Sequence, residues 1–372
     1  MTEGRFPRSS CCISASDAST RTRPGDSSTV RFRGVRTVDW RDGRVVIVDQ
    51  TLLPAELRML ELTSVDELVD AIARLAVRGA PALGAAGALG VVLAVDQAER
   101  ECWDDERLMA QLAQLRAARP TAVNLAWGID RAASRLTQGR EAVLKEALAV
   151  LEEDVAANRS IGARGADLLD ELLTKSSAAA QGIRVHTHCN TGSLATVEWG
   201  TALGVVRELH RRRRLGRVYV DETRPLLQGS RLTAWELDRL GIDYRVVVDG
   251  AGPTVIARGL VDAVVVGADR IAANGDVVNK VGTYPLALAC ARAGVPFLVA
   301  APESTIDEAT PTGLGVEIET RADAEVIEWS GVRVAPVGAR ALNLAFDVTP
   351  ADLVTAIVTE GRVIRPEKLV DG

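Results

Sequence analysis

The sequence predicts an α/β protein in which a doubly wound parallel sheet fills the C-terminal half, behind a smaller, mixed and mostly helical N-terminal domain. Three observations carry this. From Ile183 onward, short apolar runs with strand character alternate with helical patterns at the spacing of βα units. Each run ends in a polar, charged or Gly-rich cluster. Before Leu173, apolar residues instead recur every three or four positions, the period of amphipathic helices.

The first thirty or so residues are rich in Ser, Thr, Arg, Asp and Gly, with no apolar period and no signal-peptide core, so residues 1–32 are expected to be a disordered extension. Trp40 to Asp49 forms a predicted β-hairpin, because Asp42-Gly43 supplies the positive-φ pair that a tight turn needs. Ser64 and Glu67 have the spacing of a capping box and open a helix whose apolar face is Val65, Leu68, Val69, Ile72, Leu75 and Ala76. The apolar stretch Ala80 to Val95 contains Pro81 and falls short of the ~20 residues of a bilayer span, which makes it a buried helix. Further helices are predicted at 108–118, 122–136 and 141–173. Thr174 to Gly182 is a small, polar linker, dividing a domain at 33–175 from one at 183–372.

In the second half Ile183–Thr187 runs into His188-Cys189-Asn190-Thr191-Gly192, Arg217–Val220 into Asp221-Glu222-Thr223-Arg224-Pro225, and Tyr244–Val248 into Asp249-Gly250-Ala251-Gly252. Val264–Val266 meets Gly267-Ala268-Asp269-Arg270, and Phe297–Val299 meets Ala300 to Ser304. The carboxyl ends of parallel strands lie along one edge, and ligands bind in the crevice outside it, so these clusters should converge.

Composition narrows the ligand. The net charge of −6 offers no basic field for nucleic acid or an anionic membrane, leaving a small molecule. Five cysteines lie far apart apart from Cys11-Cys12, with no zinc or redox spacing, consistent with a reducing cytoplasm. His186, His188 and His210 are too few for a metal site, and His186 and His188 share one face of a strand, where a structural role is the stronger reading for at least one. No Gly-x-Gly-x-x-Gly follows the first strand of the α/β part, which argues against a dinucleotide cofactor. Arg211 to Arg214 is a solvated helix C-terminus rather than a nucleic-acid patch.

Two residues stand out for chemistry. Cys189 follows a strand directly, where a helix is expected to start near Ser193; backbone N–H groups and the helix dipole there would favour the thiolate. Asp269 holds the equivalent place on a later strand, where apolar walls would raise its pKa and suit a general acid; pairing with Arg270 or helix capping is the competing role. Asn279-Lys280, Gln228, Arg224 and the turn Arg78-Gly79-Ala80-Pro81 are suited to holding an anion if they converge.

Together these blocks have a pattern. Arg78-Gly-Ala-Pro-Ala-Leu-Gly84, Arg119-Pro-Thr-Ala-Val-Asn-Leu125, Thr187-His-Cys-Asn190, Val220 to Pro225 with Gln228 to Glu236, and Gly267 to Asp276 with Asn279 to Tyr284 resemble methylthioribose-1-phosphate isomerase, over about Val38 to Pro366. The resemblance implies a Rossmann-like C-terminal domain, a homodimer, and no metal or nucleotide cofactor. It implies conversion of the aldose methylthioribose 1-phosphate to the ketose methylthioribulose 1-phosphate in methionine salvage. It also implies that Cys189 and Asp269 are the catalytic pair and that Arg78, Gly79, Ala80, Arg119, Gln228, Asn279 and Lys280 contact substrate.

Departures keep two alternatives open. Thr191 stands where Ala is usual, and Asp249 to Thr254 lacks side chains common in relatives, in a loop expected to approach the pocket. Isomerases of 5-deoxyribose 1-phosphate or ribose 1,5-bisphosphate share the fold. So do the non-catalytic regulatory subunits of the exchange factor for translation initiation factor two, whose pattern lacks the paired Cys and Asp that this chain retains.

Overall fold

The computed structural model describes residues 36–119, 122–174 and 181–366. The expected extension at 1–32, with Cys11 and Cys12, and residues 175–180 of the expected linker lie outside the described residues.

Strands β1 (Val38–Arg41) and β2 (Arg44–Val48) form the expected hairpin, with Asp42 at φ 49° and Gly43 at φ 78°. Strand β3 (Met59–Leu62) completes a small antiparallel sheet. Helix α1 (Val65–Ala73) opens on the Ser64–Glu67 capping box, each side chain bonding the other's backbone N–H. Then follow α2 (Ala80–Glu101), α3 (Asp105–Ala117), α4 (Val123–Ala133) and α5 (Arg140–Leu173). The helix expected to reach residue 136 ends at Ala133, and Leu136–Gln138 is a single 3₁₀ turn.

Helix α2 is long and apolar enough to cross a membrane by length and composition, but 83% of its apolar window is buried inside the protein. Its glycines explain how. A Cβ on Gly128 of α4 would lie 2.0 Å from the carbonyl oxygen of Gly84, so the two backbones touch at a place where no side chain fits. Around them Leu68, Ile72, Leu89, Val92, Leu115, Leu125 and Leu151 form one apolar core.

The remaining elements are β4 (Ile183–Thr187), α6 (Ala202–Arg211), β5 (Leu215–Asp221), α7 (Ala234–Leu240), β6 (Tyr244–Val247), α8 (Gly252–Ala257) and β7 (Ala263–Val266). Beyond them come β8 (Arg270–Ala272), β9 (Val277–Lys280), α9 (Thr283–Ala293), β10 (Phe297–Ala300), β11 (Ile306–Asp307) and α10 (Ala324–Ile327). The chain closes with β12 (Glu328–Trp329), β13 (Val332–Arg333), β14 (Phe346–Thr349), β15 (Ala356–Val358) and β16 (Val363–Ile364).

Seven of these strands form a sheet in the order β16-β15-β10-β7-β4-β5-β6, parallel throughout except for β16. Its strands alternate between two cores, as the two-residue period of a strand requires. Val185, Val218, Ala263, Val265 and Leu298 face α6 and the second half of α5. Val264, Val266, Phe297 and Val299 face α8 and α9. The inner strands β7, β10 and β15 are buried on both faces, which is why they are continuous apolar runs, while β6 at the edge is partly exposed.

The chain grows outward from the centre of the sheet, first through β4, β5 and β6 on one side, then through β7, β10 and β15 on the other. A second sheet, β11-β8-β9-β14, is inserted beyond β7. The Arg211–Arg214 run is a helix end: α6 stops at Arg211, and Arg211 and Arg212 both pair with Glu208.

Candidate functional site

Cys189 leaves the carboxyl end of β4, beside the point where the strand order reverses. Its φ is +61°, a conformation fixed by its neighbours: its N–H donates to Thr223 Oγ1 at 2.9 Å and its carbonyl accepts from Thr233 Oγ1 at 2.7 Å. The expected helix near Ser193 is a 3₁₀ turn (Ser193–Ala195), and α6 begins only at Ala202, so the dipole expected from a helix directly after Cys189 is missing. The residue is 8% exposed. Burial pushes the thiol pKa up; Arg78 and Lys280 pull it back, Asp269 adds to the rise, and the net shift is upward. At neutral pH the group is a thiol, which corrects the expectation from sequence.

Asp269 leaves β7, the strand next to β4. Its N–H bonds the carbonyl of Val278 at 2.9 Å, at the open end of the β8–β9 hairpin, so folding of that hairpin alone sets Asp269 beside Asn279 and Lys280. Burial raises the carboxyl pKa; Lys280, Arg119 and Arg78 oppose this, Glu319 adds to it, and the proton is held above the usual carboxylate range. Arg270, the competing partner, reaches Asp307 at 3.3 Å.

Lys280 is buried, donates to the Ala345 carbonyl at 2.7 Å and lies 4.6 Å from the centre of the Phe346 ring, its cross-strand partner on β14. Desolvation lowers its pKa, while Cys189 and Asp269 favour its charge. Asn279 Nδ2 donates to Thr283 Oγ1 at 2.9 Å.

The opposite wall comes from the helical half. Arg78 is buried, donating to Gln50 Oε1 at 3.0 Å, to the Asn190 carbonyl at 2.9 Å and to Asn190 Oδ1. Asn190 is in turn held by Glu236 at 2.8 Å, a buried carboxylate that also takes the Ser193 N–H at 2.7 Å. Gly79 caps α2 at φ +94°, and a Cβ there would lie 2.6 Å from Ala195, so this turn demands glycine. Gly79 and Ala80 thereby present the first turn of a 22-residue helix to the cavity, a natural seat for an anion. Arg119 faces Glu319 at 3.5 Å.

All nine residues that the resemblance assigns to the site (Arg78, Gly79, Ala80, Arg119, Cys189, Gln228, Asp269, Asn279 and Lys280) line one cavity. Three buried polar atoms on its walls, Arg119 Nε, Thr191 Oγ1 and Gln228 Oε1, have no partner within the protein. Buried polar groups are nearly always satisfied, so these mark where a ligand's polar atoms belong. Leu75, Leu83, Ala122, Leu226 and Phe346 supply an apolar flank.

Other expectations were not met. Arg224 is outside the cavity: it donates to the Val326 carbonyl at 3.0 Å and stacks over Trp329. The Asp249–Thr254 loop contributes no lining residue. Asp249 instead accepts the N–H groups of Thr223 and Arg224, at 2.7 and 2.6 Å, and props the turn behind Cys189. Reading the sequence also missed Asn190, Thr191, Glu319, Arg321 and Phe346. The first two adjoin Cys189 in its motif; the last three come from a segment with no periodic or motif signal. His186 and His188 have the structural role expected of at least one, bonding the two oxygens of Asp221 at 3.0 and 2.8 Å. Among the described residues, His188, Asp221 and Asp249 lie close enough to share an ion. Their ligand atoms are already engaged with one another and with the 223–224 backbone.

Comparison with known proteins matches residues 76–366 to the Initiation factor 2 subunit family. The chain is 52% identical, over 89% of its length and 94% of the other, to a protein of Anaeromyxobacter dehalogenans named methylthioribose-1-phosphate isomerase. It is 47% identical, over 90% of its length and 95% of the other, to the 5-deoxyribose 1-phosphate isomerase of Moorella thermoacetica. It is also 51% identical, over 88% of its length, to a probable bifunctional methylthioribose-1-phosphate isomerase/methylthioribulose-1-phosphate dehydratase of Nocardia farcinica, of which it spans 59%. Among solved structures, 5-methylthioribose 1-phosphate isomerase from Pyrococcus horikoshii superposes with a TM-score of 0.78 at 38% identity, covering 89% of this chain and 92% of the other. A chain described as translation initiation factor eIF-2B subunit delta from A. fulgidus superposes at 0.76 with 45% identity, covering 90% and 96%.

Proposed function

The chain belongs to the Initiation factor 2 subunit family, and we propose that within it this protein is an aldose–ketose isomerase converting 5-methylthioribose 1-phosphate to 5-methylthioribulose 1-phosphate. The observation that carries the reading is the meeting of Cys189 and Asp269 in one cavity with three cations and the N-terminus of α2. The phosphate lies against Arg78, Arg119, Lys280 and the Gly79–Ala80 turn, where fixed N–H groups and charges replace its water. The methylthio group lies on the apolar flank of Leu75, Leu226 and Phe346.

Because phosphate blocks the anomeric oxygen, the ring must open with acid help. Asp269, protonated by its surroundings, gives its proton to the ring oxygen as the bond from that oxygen to C1 breaks, leaving positive charge at C1. Hydrogen from C2 then arrives at C1, and the C2 hydroxyl gives up its proton to become the ketone. A thiol that starts neutral cannot take up the departing proton, so the Asp269 carboxylate left by the first step receives it; on the enediol route the Cys189 thiol then gives a proton to C1 and its thiolate takes the one from the C2 hydroxyl. Two routes balance, a proton moving through an enediol and a hydride moving directly. Turnover in deuterium oxide separates them, since only the first can place solvent deuterium at C1.

The strand sequence 3-2-1-4-5-6 across β6, β5, β4, β7, β10 and β15 supports a Rossmann-like, doubly wound sheet, with Cys189 and Asp269 on the two strands that flank its switch point. A β-hairpin plus helical domain at 33–175 and an α/β domain at 183–372, drawn from the linker between them, a cytoplasmic location, drawn from the cysteine pattern, and a homodimer acting without metal or nucleotide cofactor, drawn from the family resemblance, complete the proposal. The Moorella relative supports a second reading, 5-deoxyribose 1-phosphate as substrate, which the same cavity suits.

Proton NMR of the protein with methylthioribose 1-phosphate, 5-deoxyribose 1-phosphate and ribose 1,5-bisphosphate in turn decides among them. Rapid loss of the anomeric signal with the first alone establishes the proposal. Preference for another reassigns the substrate, and inertness toward all three in folded protein moves the chain to the non-catalytic class.

A further inference from the structure

His188 precedes Cys189, is fully buried, and has no part in the chemistry above. Its ring is held at both ends, with Nδ1 2.8 Å from Asp221 Oδ2 and Nε2 2.8 Å from the carbonyl oxygen of Val281. A carbonyl only accepts, so Nε2 carries a hydrogen; an ionised carboxylate only accepts, so Nδ1 carries one as well. Asp221 is kept ionised: burial opposes the charge, but the hydrogen bonds of His186 and His188 outweigh it and lower the pKa.

Val281 directly follows Lys280. Behind it, Gly282 has φ +106°, and a Cβ there would lie 2.7 Å from His188 Cε1, so the ring rests on bare backbone. Asp347 on β14 fixes the same turn from the other side, accepting the N–H groups of Gly282 at 2.7 Å and Tyr284 at 3.1 Å.

We propose that His188 is a positioning residue whose ring, hydrogen-bonded at both nitrogens, clamps the strand end carrying Cys189 to the strand end carrying Asn279 and Lys280. The clamp sets the distance from thiol to ammonium. Lys280 is one of the cations that draw down the Cys189 pKa, so a looser clamp leaves the thiol harder to ionise. The charged groups facing the ring are Asp221 from β5, Asp249 from the end of β6 and Asp347 from β14, with His186 reaching it through Asp221. Burial lowers the His188 pKa, the bond and charge of Asp221 raise it further, and the net shift is upward. The ring therefore yields its proton only above the usual histidine range.

The kinetic arm of the test rests on the isomerase reading; two other arms need no sugar phosphate. In wild-type protein with ¹⁵N-labelled histidine, which has three rings to assign, His188 is expected to show both nitrogens protonated at neutral pH. A neutral ring overturns the clamp. In His188→Asn and His188→Gln, checked for folding by circular dichroism, the pH midpoint for iodoacetamide alkylation of Cys189, read by peptide mass spectrometry, is expected to rise by about one unit. On the confirmed substrate, kcat should fall by about 100-fold with KM changed much less, the signature of misplaced rather than missing groups. An unchanged alkylation midpoint in a folded variant overturns the proposal, and if neither variant folds the wild-type ring spectrum decides it. Failure of the isomerase reading shows separately, as absent turnover in wild-type protein.

Discussion

At the scale of single residues, the site works by burying acids and cations together, so that desolvation disfavours charges that their mutual attraction favours. The Asp269 pKa is raised because desolvation, aided by Glu319, outweighs three nearby cations. A carboxyl whose pKa is raised on folding is an acid that survives to higher pH, so kcat/KM should fall as pH rises through that pKa. Glu319→Gln removes one cause of the rise and is expected to move this basic limb to lower pH. A limb that stays in place in a folded variant would show that Glu319 does not act on Asp269. Asp269→Asn and Cys189→Ser should each lose about 10²–10⁴-fold in kcat, the range for removing a general acid or base, with melting temperatures near wild type. Substantial turnover in either variant sinks that residue's role. Cys189 was legible from its place after a strand, but its protonation was not: the thiolate expected from a helix dipole depended on a helix that starts too late.

At the scale of elements, α2, α4 and α5 form the wall that faces the sheet, and two of their features are measurable. Gly128→Ala places a Cβ against the Gly84 carbonyl, backbone against backbone, with no flexible side chain to give way. It is expected to cost about 1–3 kcal/mol or more by overpacking, read from denaturant titration, and to weaken substrate binding by moving the N-terminus of α2. Asp154 in α5 is half-buried, accepting from the Val197 N–H at 2.7 Å and from Asn158 Nδ2 at 2.9 Å, with desolvation raising its pKa to about 7. Since the folded value lies above the unfolded one, its contribution is complete below the ordinary carboxylate range and is lost as pH rises through about 7. The melting temperature of Asp154→Asn relative to wild type should therefore climb between mildly acidic and mildly alkaline pH; a flat difference would exclude the shift. The helices were readable to within a few residues because amphipathic periods and the Ser64–Glu67 box are local signals. The touching glycines were not, because a Gly in a helical pattern does not say which neighbour it admits.

At the scale of the whole molecule, the cavity exists only where the helical layer, β4, β7 and the inserted β8–β9 hairpin meet. A ligand bound there stabilises the folded chain alone: methylthioribose 1-phosphate at 100 times its Kd should add about 2.7 kcal/mol, seen as a higher melting temperature. The increment should vanish in Arg78→Ala if Arg78 holds the phosphate. The same geometry explains which site residues could be found early. Those at strand ends or in compact motifs were visible, because the carboxyl edge of a parallel sheet gathers them whatever the strand order. Arg321 and Phe346 were invisible, because they reach the cavity through a segment whose path is set by β14 pairing with β9.

The sequence by itself determined the α/β class, the hairpin, the helices and the nine residues that share a cavity. The elements rest on local spacing and the nine residues on short motifs that match a family, and a chain carries both wherever it goes. Only the tertiary structure decided the protonation of Cys189, the exclusion of Arg224 and the Asp249 loop, and the joining of Cys189 to Lys280 through His188. Those outcomes depend on desolvation and on contacts between distant segments, and both come into being only when the chain packs.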